Sequence, residues 1–470
     1  MTDGDCPVGR SAPDGAEVLG TAGGPGAAEE PGGDRGGGRL RDGESYGFAT
    51  EQVHAGEQPE PGTGARITPV YLSAGFEFDD FDQASARFVD TQSGYSYTRV
   101  GNPTNAAVER KLARLDHGAS AVLLASGQAA TAIAALAIVQ AGDHIVCSSS
   151  VYEGTKGLFQ SNLTRLGVSV DLVADPSDLG EWERLITPRT RMLFGESIPN
   201  PRNDVLDVPA VAEIAHRHGL PLVVDNTIAT PFLFRPLDHG ADIVTYSTSK
   251  LLTGHGASLG GAVVVGRGFD WWADAERFPQ FAAPAGGVSG PSWIGAYGSD
   301  AVGAYLRDAV AMRFGPTQSP WHAFLLNQGL ETLSLRMSRH VESALAVAQW
   351  LESRPEVVGV DYAGLSSNAH HGTAERLLPR GAGSVFAFTV DGGIDAARRF
   401  YNAVELFSRM THIGDVRSLI LHPATTIHVQ QTPEQRRSAG ISDGMLRLSI
   451  GLEDPADLIR DLERGFAALA

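Results

Sequence analysis

Cysteine is nearly absent: the 470 residues contain two, Cys6 and Cys147. Two such residues, one of them in a segment with no sign of structure, cannot frame a disulfide-stapled fold, so a reducing compartment, the cytoplasm, is expected. Positive charge is also scarce, with 37 Lys and Arg against 55 Asp and Glu and a net charge of −18. Nucleic acids and anionic membranes attract basic surfaces, so neither is expected as a partner. Long hydrophobic runs are missing too. The most apolar stretch, Ala119 to Ala141, is interrupted by Ser126, Gly127, Gln128, Thr131 and Gln140. A membrane span needs about 20 predominantly apolar residues, and this stretch reads instead as a strand, a loop and a helix. The opening MTDGDCPVGR has neither the basic nor the apolar region of a secretory signal.

Residues 1–45 hold 13 Gly and 4 Pro and no aromatic residue, too little apolar area to offset the entropy of ordering them. A disordered Gly/Pro-rich extension is expected there. Residues 46–105 mix turns with aromatics, as in Tyr95-Ser96-Tyr97-Thr98-Arg99, and read as an arm with little core of its own. From Ala106 to about Gly266, helix-period segments alternate with seven short apolar runs: Ala119–Leu124, His144–Ser148, Val168–Val173, Arg191–Gly195, Pro221–Val224, Asp242–Tyr246 and Gly261–Val265. That alternation implies an α/β domain, residues 106–316, built on a mainly parallel sheet covered on both faces. Its last part, after Gly268, is irregular or partly helical. Residues 317–470 read as a smaller α+β domain, with one or two helices over Trp321–Ser353 and strands at Ser384–Val390 and Met445–Ile450.

Sheets of this kind bind ligands at the carboxyl ends of their strands, and three features fall there. The run ending at Val224 leads into Asp225, a carboxylate that could equally be a turn residue or helix cap. The run ending at Tyr246 leads into Ser247-Thr248-Ser249-Lys250. A lysine desolvated in such a place is a candidate Schiff-base amine, and the hydroxyls beside it suit an anion. Ser126-Gly127-Gln128 joins a strand to an Ala-rich helix, where free amides at a helix N-terminus suit a phosphate. A phosphate, an aldehyde that condenses with lysine, and a ring nitrogen kept protonated by a carboxylate together specify pyridoxal phosphate. No metal is expected: His412, His422 and His428 are not spaced as a compact ligand motif. The glycines around Lys250 do not match a dinucleotide fingerprint.

The motifs Tyr97-Thr98-Arg99-x-x-Asn102-Pro103-Thr104, Ser126-Gly127-Gln128-Ala129-Ala130, Tyr152-Glu153-Gly154-Thr155, Glu196-x-x-x-Asn200-Pro201, Asp225-Asn226-Thr227 and Ser247-x-Ser249-Lys250 share the order and approximate spacing of the Cys/Met-metabolism family of pyridoxal-phosphate enzymes. The chain resembles the O-acetylhomoserine sulfhydrylases of that family in particular, from about Gly47 to the C-terminus. The resemblance implies fold type I, a large domain around a seven-stranded sheet, and the following roles. Lys250 binds the cofactor covalently and shuttles protons, Asp225 pairs with its ring nitrogen, Tyr152 stacks on the ring, and Asn200 bonds its phenolate oxygen. Ser126, Gly127, Gln128, Ser247 and Ser249 surround the phosphate. Tyr97 and Arg99 reach the neighbouring subunit's phosphate, which implies a homo-oligomer, in this family usually a tetramer. Arg447 clamps the substrate carboxylate, with His412 and Tyr97 also near the substrate. The activity implied is γ-replacement on an O-acylated homoserine, with sulfide or a thiol as nucleophile.

Four positions depart from the family pattern: Glu153, Ile228, Ser249 and His412. They leave open another nucleophile in a specialised pathway. Two related activities, of the methionine γ-lyase and cystathionine γ-synthase types, and a non-catalytic cofactor-binding scaffold are the other readings. Gly154 weighs against the lyase, where a Cys is common, and Gly414-Asp415-Val416-Arg417-Ser418 weighs against the synthase.

Overall fold

All seven apolar runs become strands of one sheet in the computed structural model, which describes Leu40 and residues 44–89, 94–285 and 290–470. The strands are β1 (Ser120–Leu124), β2 (His144–Ser148), β3 (Ser169–Val173), β4 (Thr190–Glu196), β5 (Leu222–Asp225), β6 (Ile243–Tyr246) and β7 (Gly261–Val265). Their spatial order is β1-β7-β6-β5-β4-β2-β3. Only β7 runs against its neighbours β1 and β6, so the sheet is mainly parallel, as expected. The extension expected over residues 1–45 falls almost wholly outside the described residues.

Five further strands form a second sheet: β8 (Val357–Asp361), β9 (Val385–Val390), β10 (Ser408–Arg409), β11 (Leu419–Leu421) and β12 (Met445–Ser449), in the order β10-β11-β12-β9-β8. The helical stretch expected over Trp321–Ser353 is two helices, Pro320–Leu330 and Leu333–Glu352. Near the end of the first, Gly329 lies so close to the turn after Lys250 that a Cβ there would meet the carbonyl oxygens of Leu252 and Thr253 at 2.5 and 2.6 Å. A side chain at 329 would push this helix off the lysine turn. Apolar side chains from one face of the first sheet, such as Leu193, Val224 and Val244, join Phe386, Phe388 and Leu446 of the second in one continuous core. The opposite face of the first sheet packs against helix Gly127–Ile138 and its neighbours. No helix among the described residues is long and apolar enough to cross a membrane.

A buried polar chain ties β4, β5 and β6 together just behind the strand ends. Ser197 Oγ donates to Asn226 Oδ1 at 2.7 Å, Asn226 Nδ2 donates to the Tyr246 hydroxyl at 3.0 Å, and that hydroxyl donates to Asp116 Oδ2 at 2.6 Å. Burial pushes the Asp116 carboxyl up to about 7, partly opposed by the bond from Tyr246. The native chain therefore keeps a proton that the unfolded chain releases near pH 4, and stability falls as pH rises towards 7. Asp116→Asn preserves the acceptor and removes this titration. Its melting temperature relative to wild type is expected to improve by about 2 °C between pH 5.5 and pH 8.5. Scanning calorimetry at the two pH values checks this, and a pH-independent difference would contradict it.

Candidate active site

The carboxyl ends of β1, β2, β4, β5 and β6 share one rim, because these five strands point the same way. After β1, Ser126 adopts an extended backbone, and its Oγ accepts the Ala129 amide at 3.1 Å, capping the 12-residue helix that begins at Gly127. The Ala130 amide returns to the Ser126 carbonyl. The amides of Gly127 and Gln128 are thus the ones left for an anion, at the positive end of the helix dipole. A Cβ at position 127 would lie 2.6 Å from that of Ser247, so glycine is what lets this helix end close on the turn after β6. On that turn the hydroxyls of Ser247 and Ser249 are 2.9 Å apart.

Gly127, Gln128, Ser247 and Ser249 line a cavity of about 230 Å³ together with Tyr152, Asn200, Asp225, Lys250 and Arg447. Two acids in it lie side by side, because Glu196 and Asp225 are register partners on β4 and β5. Burial raises both carboxyls, and Glu196 is raised further by Asp225 itself. Asp225 Oδ1 accepts the Thr227 amide at 2.9 Å, and Glu196 Oε2 accepts the Tyr152 amide at 2.8 Å. Two bases face them. Burial, reinforced by Arg447, lowers Lys250 to about 8, and burial lowers Arg447 to about 10. Arg447 is 4% exposed, and its guanidinium bonds go to neutral oxygens: Asn200 Oδ1 at 3.2 Å and the carbonyls of Thr411 and His412 at 2.9 and 3.2 Å. Among the described residues no carboxylate pairs with Lys250 or Arg447.

Such a cavity holds acids short of a cation and bases short of an anion. It fits pyridoxal phosphate, whose phosphate matches the Gly127 cradle, whose aldehyde matches Lys250 and whose ring nitrogen matches Asp225, with Arg447 left for a carboxylate.

The residues singled out in the sequence divide into three groups. Ser126, Gly127, Gln128, Tyr152, Asn200, Asp225, Ser247, Ser249, Lys250 and Arg447 meet at this cavity. Tyr97 and Arg99 do not: Tyr97 is 49% exposed, Arg99 lies over its ring at 5.7 Å, and Arg99 lines a separate cavity of about 280 Å³. The His412 ring touches Lys250 but opens to yet another cavity. Glu196 and Thr227, for which the sequence motifs specify no role, hold the Tyr152 amide and the Asp225 carboxylate. Thr227 Oγ1 also accepts the Ser247 amide at 2.8 Å, linking the Asp225 and Lys250 turns. The last position of β4, directly opposite Asp225, was the available signal for Glu196. Cys147 is buried, which pushes its thiol up and leaves it inert.

Fold and site together define a fold type I pyridoxal-phosphate enzyme. Residues 49–467 match the model of the Cys/Met metabolism PLP-dependent enzyme family, and the chain belongs to that family. It is 43% identical over 429 residues to an O-acetyl-L-homoserine sulfhydrylase of Corynebacterium glutamicum, covering 91% of this chain and 98% of the relative. A homocysteine synthase of Schizosaccharomyces pombe is 41% identical, over 89% of this chain and 97% of its own. Among solved structures, a Campylobacter jejuni protein assigned as an O-acetylhomoserine (thiol)-lyase superposes with a TM-score of 0.84 at 33% identity. That match spans 90% of this chain and all of the other, which carries N'-pyridoxyl-lysine-5'-monophosphate.

Proposed function

We propose that the chain catalyses pyridoxal-phosphate-dependent γ-replacement on an O-acylated homoserine, with O-acetylhomoserine and sulfide or a thiol as substrates. The products are homocysteine or a homologue and acetate. The observation that carries this reading is the buried, carboxylate-free Arg447 guanidinium in the same cavity as Lys250 and Asp225. An amino-acid substrate brings the missing carboxylate.

Bound cofactor supplies an electron sink for deprotonation at Cα and Cβ. The chain does the rest. The Gly127 and Gln128 amides and the Ser247 and Ser249 hydroxyls would hold the phosphate, and Asp225 would hold the ring nitrogen in its protonated form. Tyr152, in the same cavity, would lie against the ring, and Asn200 would hydrogen-bond its phenolate oxygen. Arg447 binds the α-carboxylate bidentately, which sets the direction of the Cα–H bond. Lys250, lowered to about 8, has a usable fraction of free amine at neutral pH to take protons at Cα and return them. At Cγ the bond to the acyl oxygen breaks, acetate leaves with the electron pair, and the new bond to sulfur forms.

Lys250 and Arg447 are the cations lining this cavity among the described residues, and both are already engaged. Within one chain a second substrate carboxylate would find no further cation among the described lining residues, which favours an acetyl over a succinyl ester. Tyr97 and Arg99, remote from the cavity within one chain, serve the neighbouring subunit's phosphate in a homo-oligomer. Incubation of the loaded protein with O-acetylhomoserine, with and without sulfide, tests the reading by mass spectrometry. Homocysteine is expected only with sulfide, and more slowly from the succinyl ester. Equal release of 2-oxobutanoate and ammonia in both mixtures would replace this reading with a lyase.

A further inference from the structure

The segment Thr411–Asp415 crosses the lysine turn and is strapped to it at several points. Gly414 takes φ +75°, and a Cβ there would meet the Leu251 amide nitrogen at 2.7 Å and the Lys250 carbonyl carbon at 3.2 Å. Its own amide donates to Ser449 Oγ at 2.9 Å, and the Val416 amide donates to the Gly254 carbonyl at 2.8 Å. Arg447 holds the carbonyls of Thr411 and His412 from the other side. A backbone pinned this way has little freedom, and it brings His412 Nδ1 to 2.9 Å from Lys250 Nζ.

We propose that His412 is a positioning residue for Lys250: its ring holds the lysine amine whenever that amine is not bonded to the cofactor, and so keeps it poised for proton transfer. The proposal rests on the pyridoxal-phosphate reading above. In the reaction Lys250 is released when the substrate amine takes its place, and a released lysine has four rotatable bonds over which to wander. A fixed acceptor removes that freedom during the steps in which the amine must reach Cα and then Cβ.

The charges around the ring decide what it can do. Lys250 and Arg447 face it as cations, and Asp415, itself bound to Arg417, faces it as an anion. Burial and the two cations hold the imidazole down to about 4 against the pull of Asp415. At neutral pH the ring is therefore uncharged and too weak a base to relay protons itself. An ammonium can only donate, so Nδ1 accepts from Nζ and the ring proton sits on Nε2. Acceptance by Nδ1 stabilises the ammonium that Lys250 becomes after taking the Cα proton.

The test uses the full-length chain freed of cofactor. Competitive acetylation of Lys250 by acetic anhydride from pH 6 to 10, read by peptide mass spectrometry, gives the midpoint of the amine without any turnover. His412→Leu, which fills the space without an acceptor, is expected to lower the midpoint by about one pH unit. His412→Asn, whose amide oxygen replaces Nδ1, is expected to restore it. With the loaded protein, His412→Leu should slow exchange of the substrate Cα hydrogen with D2O about tenfold while leaving KM for the ester unchanged, because Arg447 still binds the carboxylate. If the Leu variant fails to fold, His412→Met serves the same purpose. A wild-type midpoint in the Leu or Met variant overturns the proposal. Failure of wild-type Lys250 to bond pyridoxal phosphate would instead overturn the cofactor reading, and the labelling midpoints would still report the contact.

Discussion

Lys250→Ala is expected to fold, to bind pyridoxal phosphate without a covalent bond, and to turn over O-acetylhomoserine at least about 10³-fold more slowly than wild type. Folding should survive because the backbone, not the side chain, shapes the turn. The Lys250 amide donates to the Ser247 carbonyl at 3.2 Å, and the Lys250 carbonyl accepts the Gly254 amide at 2.7 Å. Alanine keeps both bonds. What disappears is the one lysine amine lining the cavity among the described residues, lowered by burial to about 8, and with it the proposed covalent tether and proton carrier. Borohydride reduction followed by intact-mass measurement separates the two forms: the wild-type chain should retain the pyridoxyl group and the variant should lose it on denaturation. Retention in the variant, or activity within tenfold of wild type, would place the chemistry on another residue.

Asp225→Asn should cost about 10²- to 10³-fold in kcat, the range found when one preorganised charge is removed from a developing transition state. The carboxylate closes β5 with Glu196 beside it in register, and burial makes it a poor place for negative charge until a cation arrives. On the proposed reading, a protonated ring nitrogen is that cation. Asparagine has no charge to pair with it, so the ring loses its proton and the electron sink weakens. Lys250 is untouched by the substitution, so the covalent bond to the cofactor should still form. Absorbance titration with pyridoxal phosphate, run beside steady-state kinetics, distinguishes this outcome from simple loss of the cofactor. A variant with wild-type kcat would show that ring protonation does not depend on Asp225.

Much of this site was legible before the fold, and the reason is local. Strand, turn and functional group fall within a few residues of one another at Ser126-Gly127-Gln128, at Asp225 and at Ser247 to Lys250, and each short apolar run announced its strand. The second sheet was less readable. β10 and β11 contain two and three residues, too few to show a period, and β8 includes the exposed Val358 and a glycine. Contacts made across the chain were invisible for another reason. Lys250 and His412 are 162 residues apart, Arg447 and Asn200 are 247 apart, and nothing in either segment specifies the other. Arg447 received a role through resemblance alone. The uncompensated charges that motivate that role belong to the folded cavity and have no counterpart in the linear text.

The Glu196–Asp225 pair has a consequence for the life of the protein outside catalysis. A newly made chain must fold around two neighbouring acids, and around a lysine and an arginine that no carboxylate among the described residues pairs with, before any cofactor reaches it. Whatever binds the finished fold and not the unfolded chain shifts the balance between them by mass action. A cell short of the vitamin from which the cofactor is made therefore holds this protein in its less durable form, more open to proteases. Abundance of the enzyme is then expected to rise and fall with cofactor supply.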